Sequence, residues 1–312
     1  MESAGELLKQ VSIIVCTVDR LSELEKCLTS LEPFRAAAAE VLVVNNGPHP
    51  TAVAAVARHH SARVVEELRR GVSRARNAGV RAATGNIVAF LDDDSVADSQ
   101  WLPLLVAPFR DCQVLAAVGC IFPQSVSEPA TQAFDYLHRA QFPESPVIVD
   151  GSADNDSLPM RAALLGNANM AIRREVFERF GYFDTRLGRG TRIGSGEEPD
   201  LFLRILLGGG KIAVEPGARI FHHHSAEWRA VRRWAFLSGC AHTAILTKLF
   251  LQDASLRGRV VRYVRSRLRR RSPQETSAGP EHRLSRAPLI FGSLYGPIAF
   301  LLSGYESNKK RG

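Results

Sequence analysis

The chain contains no Cys-x-x-Cys pair, and its five cysteines, Cys16, Cys27, Cys112, Cys120 and Cys240, are odd in number and dispersed. That spacing excludes a zinc ribbon and argues against a disulfide framework, so reduced thiols and a cytoplasmic location are expected. No apolar run opens the chain behind a basic start, which predicts no secretory signal, and no stretch reads as a membrane span. With 312 residues, 45% hydrophobic and 23% charged, the composition is that of a globular protein. The length allows one large α/β domain, or one domain plus an appendage.

Acidic residues are missing from Arg257 to Arg271, a segment that holds eight of the arginines behind the net charge of +8. Val261, Val264 and Leu268 recur there at helical spacing, which predicts a basic amphipathic helix. An apolar stretch from Pro288 to Gly304 follows, broken by Gly292, Gly296 and Pro297. These breakers favour an interfacial or re-entrant segment over a spanning helix. Basic charge beside apolar anchors favours a lipid surface over nucleic acid, for which base readers interleaved with the arginines are expected. The expected partner is therefore an anionic membrane surface, on the inner face of the cell membrane, and not nucleic acid. The alternative is a solvated basic helix and a terminal segment packed on the domain.

The first hundred residues alternate short apolar runs with helical stretches. Val11–Cys16, Val41–Val44, Val64–Val65 and Ile87–Leu91 read as strands, and Ser22–Leu31, Thr51–His59 and Ser73–Ala83 as helices, with Ser22 and Glu25 as a helix start signal. Such repetition predicts a parallel sheet flanked by helices, with ligands bound beyond the carboxyl ends of the strands. Three segments fall at those ends: Thr17-Val-Asp19-Arg20, Asn45-Asn46-Gly47 and Asp92-Asp93-Asp94. Side chains alternate along an extended chain, so Asp92 and Asp94 can share a face while Asp93 points away. Paired carboxylates suit Mg²⁺ or Mn²⁺, which commonly arrive with a phosphate. An acidic turn or a helix N-cap at Asp94-Ser95 is the competing reading.

A second cluster lies further on. Gly166 to Arg174 reads as a strand entering a helix, followed by Gly181-Tyr-Phe-Asp184 and a loop bearing Gly188, Gly190, Gly194 and Gly196 with Arg186, Arg189 and Arg192. That cationic loop is a candidate lid over phosphates. It runs into Glu197-Glu198-Pro199-Asp200 at the start of a helix to Leu207, where carboxylates are held ionised by the helix N-terminus, as a general base requires. Capping and charge-matching of the helix is the alternative role. Lys211–Glu215 and Ala218–Phe221 read as two short strands that end in His222-His-His224, of which at most two can reach one site.

Taken in order, Thr17-x-x-Arg20, Val-Val-Asn-Asn-Gly47, Ala75-Arg-Asn-Ala-Gly79, Phe-Leu-Asp-Asp-Asp94, Gly-Asn-Ala-Asn-Met-Ala-Ile-Arg-Arg174, Gly-Tyr-Phe-Asp184, Gly-Glu-Glu-Pro-Asp-Leu201 and Glu-Pro…Phe-His222 resemble the family 2 glycosyltransferases of the GT-A fold. The resemblance covers about residues 10 to 225. It implies an α/β fold with a Rossmann-like, mostly parallel central sheet flanked by helices, and inverting transfer from a nucleotide-diphosphate sugar with Mn²⁺ or Mg²⁺. By position it places the metal on Asp92, Asp94 and His222, and the base on Glu198, with Glu197 as the alternative. The donor falls on Thr17, Arg20, Asn45, Arg76, Asn77, Asp92 and Asp93.

The family more often shows Glu-Asp where this chain has Glu197-Glu198, and an aspartate where it has Asn45. Ala230-Val-Arg-Arg-Trp234 is similar to the Gln-x-x-Arg-Trp signature of processive synthases but lacks its glutamine, which favours transfer of a single sugar. The acceptor is expected to be a saccharide, a lipid-linked molecule or a small molecule. Its pocket is expected from 122–159 and the region after Trp228. A catalytic domain over 1–228, with a nucleotide-binding half at about 10–100 and an acceptor half at about 101–228, precedes a helical basic and apolar appendage over 229–312. Two alternatives remain at this level: a sugar-phosphate nucleotidyltransferase, and a catalytically dead scaffold acting as a membrane adaptor. The former usually carries a glycine-rich loop after its first strand, and Cys16-Thr-Val-Asp-Arg20 has no glycine.

Overall fold

The structure, a computed structural model, describes residues 4–139, 142–151, 158–165, 168–222, 227–269 and 280–304. Its strands are β1 (Val11–Thr17), β2 (Glu40–Asn45), β3 (Arg63–Glu66), β4 (Ile87–Asp92), β5 (Ser95–Ala97), β6 (Val114–Pro123), β7 (Val147–Asp150), β8 (Met170–Arg173) and β9 (Lys211–His222). The helices are α1 (Ala4–Leu8), α2 (Leu21–Arg35), α3 (Pro50–His59), α4 (Val72–Ala82), α5 (Trp101–Val106), α6 (Pro129–Arg139), α7 (Leu158–Leu165), α8 (Glu175–Phe180), α9 (Glu197–Leu207), α10 (Trp228–Gln252), α11 (Arg257–Arg269) and α12 (Pro280–Leu302). The chain divides into two compact units, one of Met1–Thr185 with Glu197–Glu227, the other of Arg186–Gly196 with Trp228–Gly312.

In the first unit the described strands form one sheet in the order β3-β2-β1-β4-β8-β6-β9-β5, with β7 also paired to β9. Strands β3, β2, β1 and β4 run parallel. Strand β8 is antiparallel to β4 and β6, and β9 is parallel to β6. Strands β1 and β4 are buried along nearly their whole length, which explains their unbroken apolar runs, since helices cover a parallel sheet on both faces. Gly79 lets α4 lie tight on the sheet: a Cβ there would sit 2.7 Å from the Ile14 side chain. This is the mixed α/β GT-A architecture with mostly parallel strands.

Three local expectations change. Helix α2 starts at Leu21 after Arg20, which makes no side-chain cap bond, so Ser22 is not the cap. The two strands expected between Lys211 and Phe221 are one strand, β9, whose register against β6 shifts between Gly119 and Cys120. Pro216 and Gly217 fall at that irregularity, which is why the run reads as interrupted. No helix starts at Asp94-Ser95; the chain turns there into β5.

In the second unit, α12 runs through Gly292, Gly296 and Pro297 without a break. These residues, expected as breakers, lie inside the helix, and its glycines are contact points: a Cβ on Gly292 would lie 1.9 Å from the Phe236 carbonyl oxygen of α10. Against the expectation of no membrane span, helix α10 is long and apolar enough to cross a bilayer by length and composition, and half of that window is buried. The 186–196 loop is held by Leu187 and Ile193, both fully buried, and by Thr191, whose hydroxyl donates to Gly188 O at 2.8 Å. Arg189 and Arg192 are exposed, whereas Arg186 packs over the Phe300 ring at 4.5 Å. The basic helix spans Arg257–Arg269; Arg270 and Arg271 lie outside the described residues.

Candidate active site

Strand pairing sets out the site. Cys16 lies opposite Asp92 in the β1–β4 pair, and Thr17 lies opposite Asn45 in the β1–β2 pair, so the three predicted loops leave neighbouring strands at one sheet edge. Strand β4 ends at Asp92, and Asp93 and Asp94 are in a turn, so strand alternation does not set their directions. Another pairing does: β5 is antiparallel to β9 with Ser95 opposite His222, which carries the histidine to the aspartates. His222 Nε2 lies 2.9 Å from Asp94 Oδ1. One ligand atom each from Asp92, Asp94 and His222 falls within 4.8 Å of the others. Two carboxylates and an imidazole are a donor set that fits Mn²⁺, and the carboxylates fit Mg²⁺. His223 and His224 lie outside the described residues.

Asp93 does turn from that cluster, but into the protein. It is buried, accepts from Thr17 Oγ1 at 2.7 Å and pairs with Arg20 Nη2 at 2.6 Å. Burial raises its pKa to about 6, against the opposing pull of Arg20 and the Thr17 hydroxyl. Arg20 also pairs with Asp94. One partly exposed guanidinium thus orders two of the three aspartates.

Behind the aspartates sits Arg76, buried in the first half of α4. Its Nη1 donates to Glu198 Oε1 at 2.7 Å and to Glu197 Oε1 at 2.9 Å, and its Nη2 lies 3.5 Å from Asp92 Oδ1. The guanidinium also stands 5.8 Å from the Phe183 ring centroid and 6.0 Å from that of Phe90. Burial disfavours its charge, but Glu198, Glu197 and Asp92 outweigh that and hold its pKa above the ordinary arginine value. Burial, and then repulsion by Glu198, raise the Glu197 carboxyl to about 7 despite Arg76. Among the described residues Glu197 Oε2 is buried with no hydrogen-bond partner, which agrees with a carboxyl that takes up a proton readily. Glu198 is the more accessible of the two, with 12% of its side chain exposed against 6%.

Other predicted donor residues are engaged with the fold. Asn77 donates to Phe183 O at 2.9 Å and accepts from Phe183 N at 3.0 Å, so its amide ties α4 to the Gly181–Asp184 segment. Asn45 donates to Glu66 Oε2 at 2.8 Å and accepts from Gly47 N at 3.1 Å. Two asparagines outside the predicted set matter as braces. Asn46 accepts from Gly71 N at 2.8 Å and donates to Arg69 O at 2.9 Å, fixing the loop before α4. Asn169 accepts from Trp101 Nε1 at 2.7 Å and donates to Ala218 O and Cys120 O, joining β6, β8 and β9 under the site. Their signal in the sequence is the asparagine pairs 45–46 and 167–169, of which Asn167 is outside the described residues.

The profile of glycosyl transferase family 2 matches residues 12–181 of this chain. Among curated proteins, the pre-mycofactocin glycosyltransferase of Mycobacterium tuberculosis is 26% identical over 243 residues, covering 76% of this chain and 48% of that protein. Polypeptide N-acetylgalactosaminyltransferase 11 of Xenopus tropicalis is 27% identical over 166 residues, covering 51% of this chain and 27% of that protein. The chain thus spans half or less of the length of these relatives. Among solved structures, the mannosyltransferase PcManGT from Pyrobaculum calidifontis, in complex with GDP-Man and Mn²⁺, superposes with a TM-score of 0.61 at 19% identity, covering 92% of this chain and 86% of that one. Glucosyl-3-phosphoglycerate synthase from Mycobacterium tuberculosis, in complex with Mn²⁺, UDP and glucosyl-3-phosphoglycerate, gives 0.52 at 19% identity, covering 79% of this chain and 84% of that one. These two share the fold described above. From the family match, which covers more than half of its length, the chain belongs to glycosyl transferase family 2.

Proposed function

We propose that the chain transfers a single sugar, with inversion, from a nucleotide-diphosphate sugar to an acceptor hydroxyl, using Mn²⁺ or Mg²⁺ held by Asp92, Asp94 and His222. The observation that carries this reading is Arg76: one buried guanidinium links the metal-type carboxylate Asp92 to the glutamate pair Glu197–Glu198. A cation at the aspartates would neutralise charge growing on the departing diphosphate. Arg20, partly exposed beside Asp93 and Asp94, can approach the same phosphates, and Asp93, itself fixed by the Thr17 hydroxyl, holds it there. Asn45 and the end of β2 line the nucleotide pocket.

Glu198 takes the acceptor proton as the hydroxyl attacks the anomeric carbon. Its greater accessibility and its 2.7 Å bond from Arg76 support it over Glu197, whose raised pKa suits a carboxyl that is half-protonated near neutrality. Arg76, one of the donor positions implied by the resemblance, is a positioning residue in this reading: its guanidinium is engaged with three carboxylates and fixes the base. Asn77 is likewise a tether. The acceptor we favour is a lipid-linked or cell-envelope saccharide, met by a cytoplasmic protein lying peripherally on the membrane. A nucleotidyltransferase is less well supported, because the turn after β1 has no glycine to cradle phosphates.

The test is a screen of labelled uridine, thymidine and guanosine diphosphate sugars with Mn²⁺. The wild type should release nucleoside diphosphate in the presence of acceptor. Glu198→Gln should bind donor normally but turn over about 10²- to 10⁴-fold more slowly. Near-normal turnover in that variant refutes the assignment of the base.

A further inference from the structure

Helix α12 has an inside-out character. At its closest approach to α10 it is small: Cβ atoms on Gly292 and Gly296 would lie 1.9 Å and 2.3 Å from the carbonyl oxygens of Phe236 and Cys240, so the two backbones touch, with Tyr295 stacked on Phe236 beside them. Its outer side is large. Ile290, Phe291, Leu294, Ile298, Leu301 and Leu302 are each more than half exposed, up to 67% at Leu294. At 100° per residue these six fall within an arc of about 120°, an apolar stripe on the order of several hundred Å² that is unpartnered among the described residues. Small residues at the helix contact and large aliphatics outward is the packing of a helix bordered by lipid.

The neighbouring helices decide how lipid can be met. Helix α11 folds back along α10: Arg257 Nε donates to Phe250 O at 2.9 Å, and the Tyr263 hydroxyl lies 2.9 Å from His242 Nε2. If α10 crossed a bilayer it would draw α11 in with it, and α11 carries Arg257, Arg259, Arg262, Arg265, Arg267 and Arg269. Arginines in hydrocarbon are costly, so this unit is not built to span. It is suited to lie flat. Between 228 and 304 the only acids are Asp253, Glu275 and Glu281, so nothing on this unit offsets the arginines much. Exposed Val261 and Val264 add a second, smaller apolar strip between exposed Arg257, Arg265 and Arg267.

We propose that the second unit docks in the plane of an anionic lipid bilayer, with the outer stripe of α12 immersed at the headgroup boundary and the arginines of α11 supplying the attraction to negative headgroups. Lipid fits better than a protein partner because the α12 stripe offers no polar side chain between Ile290 and Leu302 on its outer arc, whereas protein interfaces intersperse polar groups. The inference does not rest on the glycosyl transfer reading, and its test reads binding, not turnover.

The full chain is sedimented with vesicles of phosphatidylcholine, with and without phosphatidylglycerol. Wild type should pellet with the phosphatidylglycerol vesicles and at least about tenfold less with phosphatidylcholine alone. Phe291→Ser/Leu294→Ser/Leu301→Ser, at positions whose exposure predicts an unchanged circular dichroism spectrum, should lower partitioning by about a hundredfold on both. Arg265→Gln/Arg267→Gln should lower it about tenfold on the anionic vesicles and less at high salt. Alkaline carbonate should release the bound protein. Failure of the wild type to pellet, wild-type binding by the serine variant, or retention after carbonate would overturn the proposal. So would a lipid-free dimer by sedimentation velocity that the serine variant abolishes, with no vesicle binding, since the stripe would then be a self-interface.

Discussion

Replacing Arg76 by Met is the substitution from which the structure predicts the largest and most diagnostic effect. The side chain is only 4% exposed, and its removal strands two glutamates that share one pocket. Glu197 already sits near 7, so the added cost at neutral pH is that of neutralising a second carboxylate two to three pH units above its usual range. At 1.36 kcal/mol per unit this is roughly 3–4 kcal/mol, in line with the roughly 3–5 kcal/mol lost when one partner of a buried ion pair is deleted. The sign with pH follows from the protons. In the variant the folded state holds protons on the glutamates that the unfolded state releases above about pH 4.5, so folding weakens as pH rises. Urea denaturation at pH 5 and pH 8 should therefore show a small loss, about 1 kcal/mol, at the lower pH and the full loss at the higher. Adding Glu197→Gln and Glu198→Gln should recover most of it. A loss that is equal at both pH values, or below about 1 kcal/mol throughout, would show that Arg76 does not neutralise this pair.

Asp94→Ala should abolish the Mn²⁺-dependent part of nucleotide diphosphate affinity by calorimetry while leaving the metal-free part in place; unchanged Mn²⁺ dependence would remove Asp94 from the cation site. His242 is buried on α10, and burial followed by the nearby Arg267 lower its pKa to about 4. The folded state then resists a proton that the unfolded chain accepts near 6.5, so this contribution is intact above pH 6.5 and declines toward pH 4, by about 3 kcal/mol in all. Thermal unfolding followed by circular dichroism should show a shallower acid slope in His242→Gln than in wild type, and identical slopes would contradict the assignment.

The parallel half of the sheet was legible because β1, β2 and β4 are buried on both faces and so carry continuous Val, Ile and Leu runs. Strand β6 was not, since Val-Leu-Ala-Ala-Val-Gly from Val114 reads as well in a helix as in a strand. The site residues were found by type and order, but not their directions. Asp94 meets His222 through the β5–β9 pairing, a contact between residues more than a hundred positions apart that no local period encodes. Arg76, Asn45 and Asn77 look alike in sequence, as polar residues beside apolar ones. Only packing shows that Arg76 bonds carboxylates and that Asn77 holds the backbone of Phe183. Gly292, Gly296 and Pro297 misled for a related reason: glycine and proline weaken an isolated helix, whereas here the glycines allow two helices to touch.

The most direct test of the central claim is the anomeric configuration of the product. With an α-linked nucleotide-sugar donor and Mn²⁺, nuclear magnetic resonance of the wild-type product should show a β linkage, and Glu198→Gln should form almost none of it. An α-linked product, or the same β product at an undiminished rate from Glu198→Gln, would contradict a single displacement driven by Glu198.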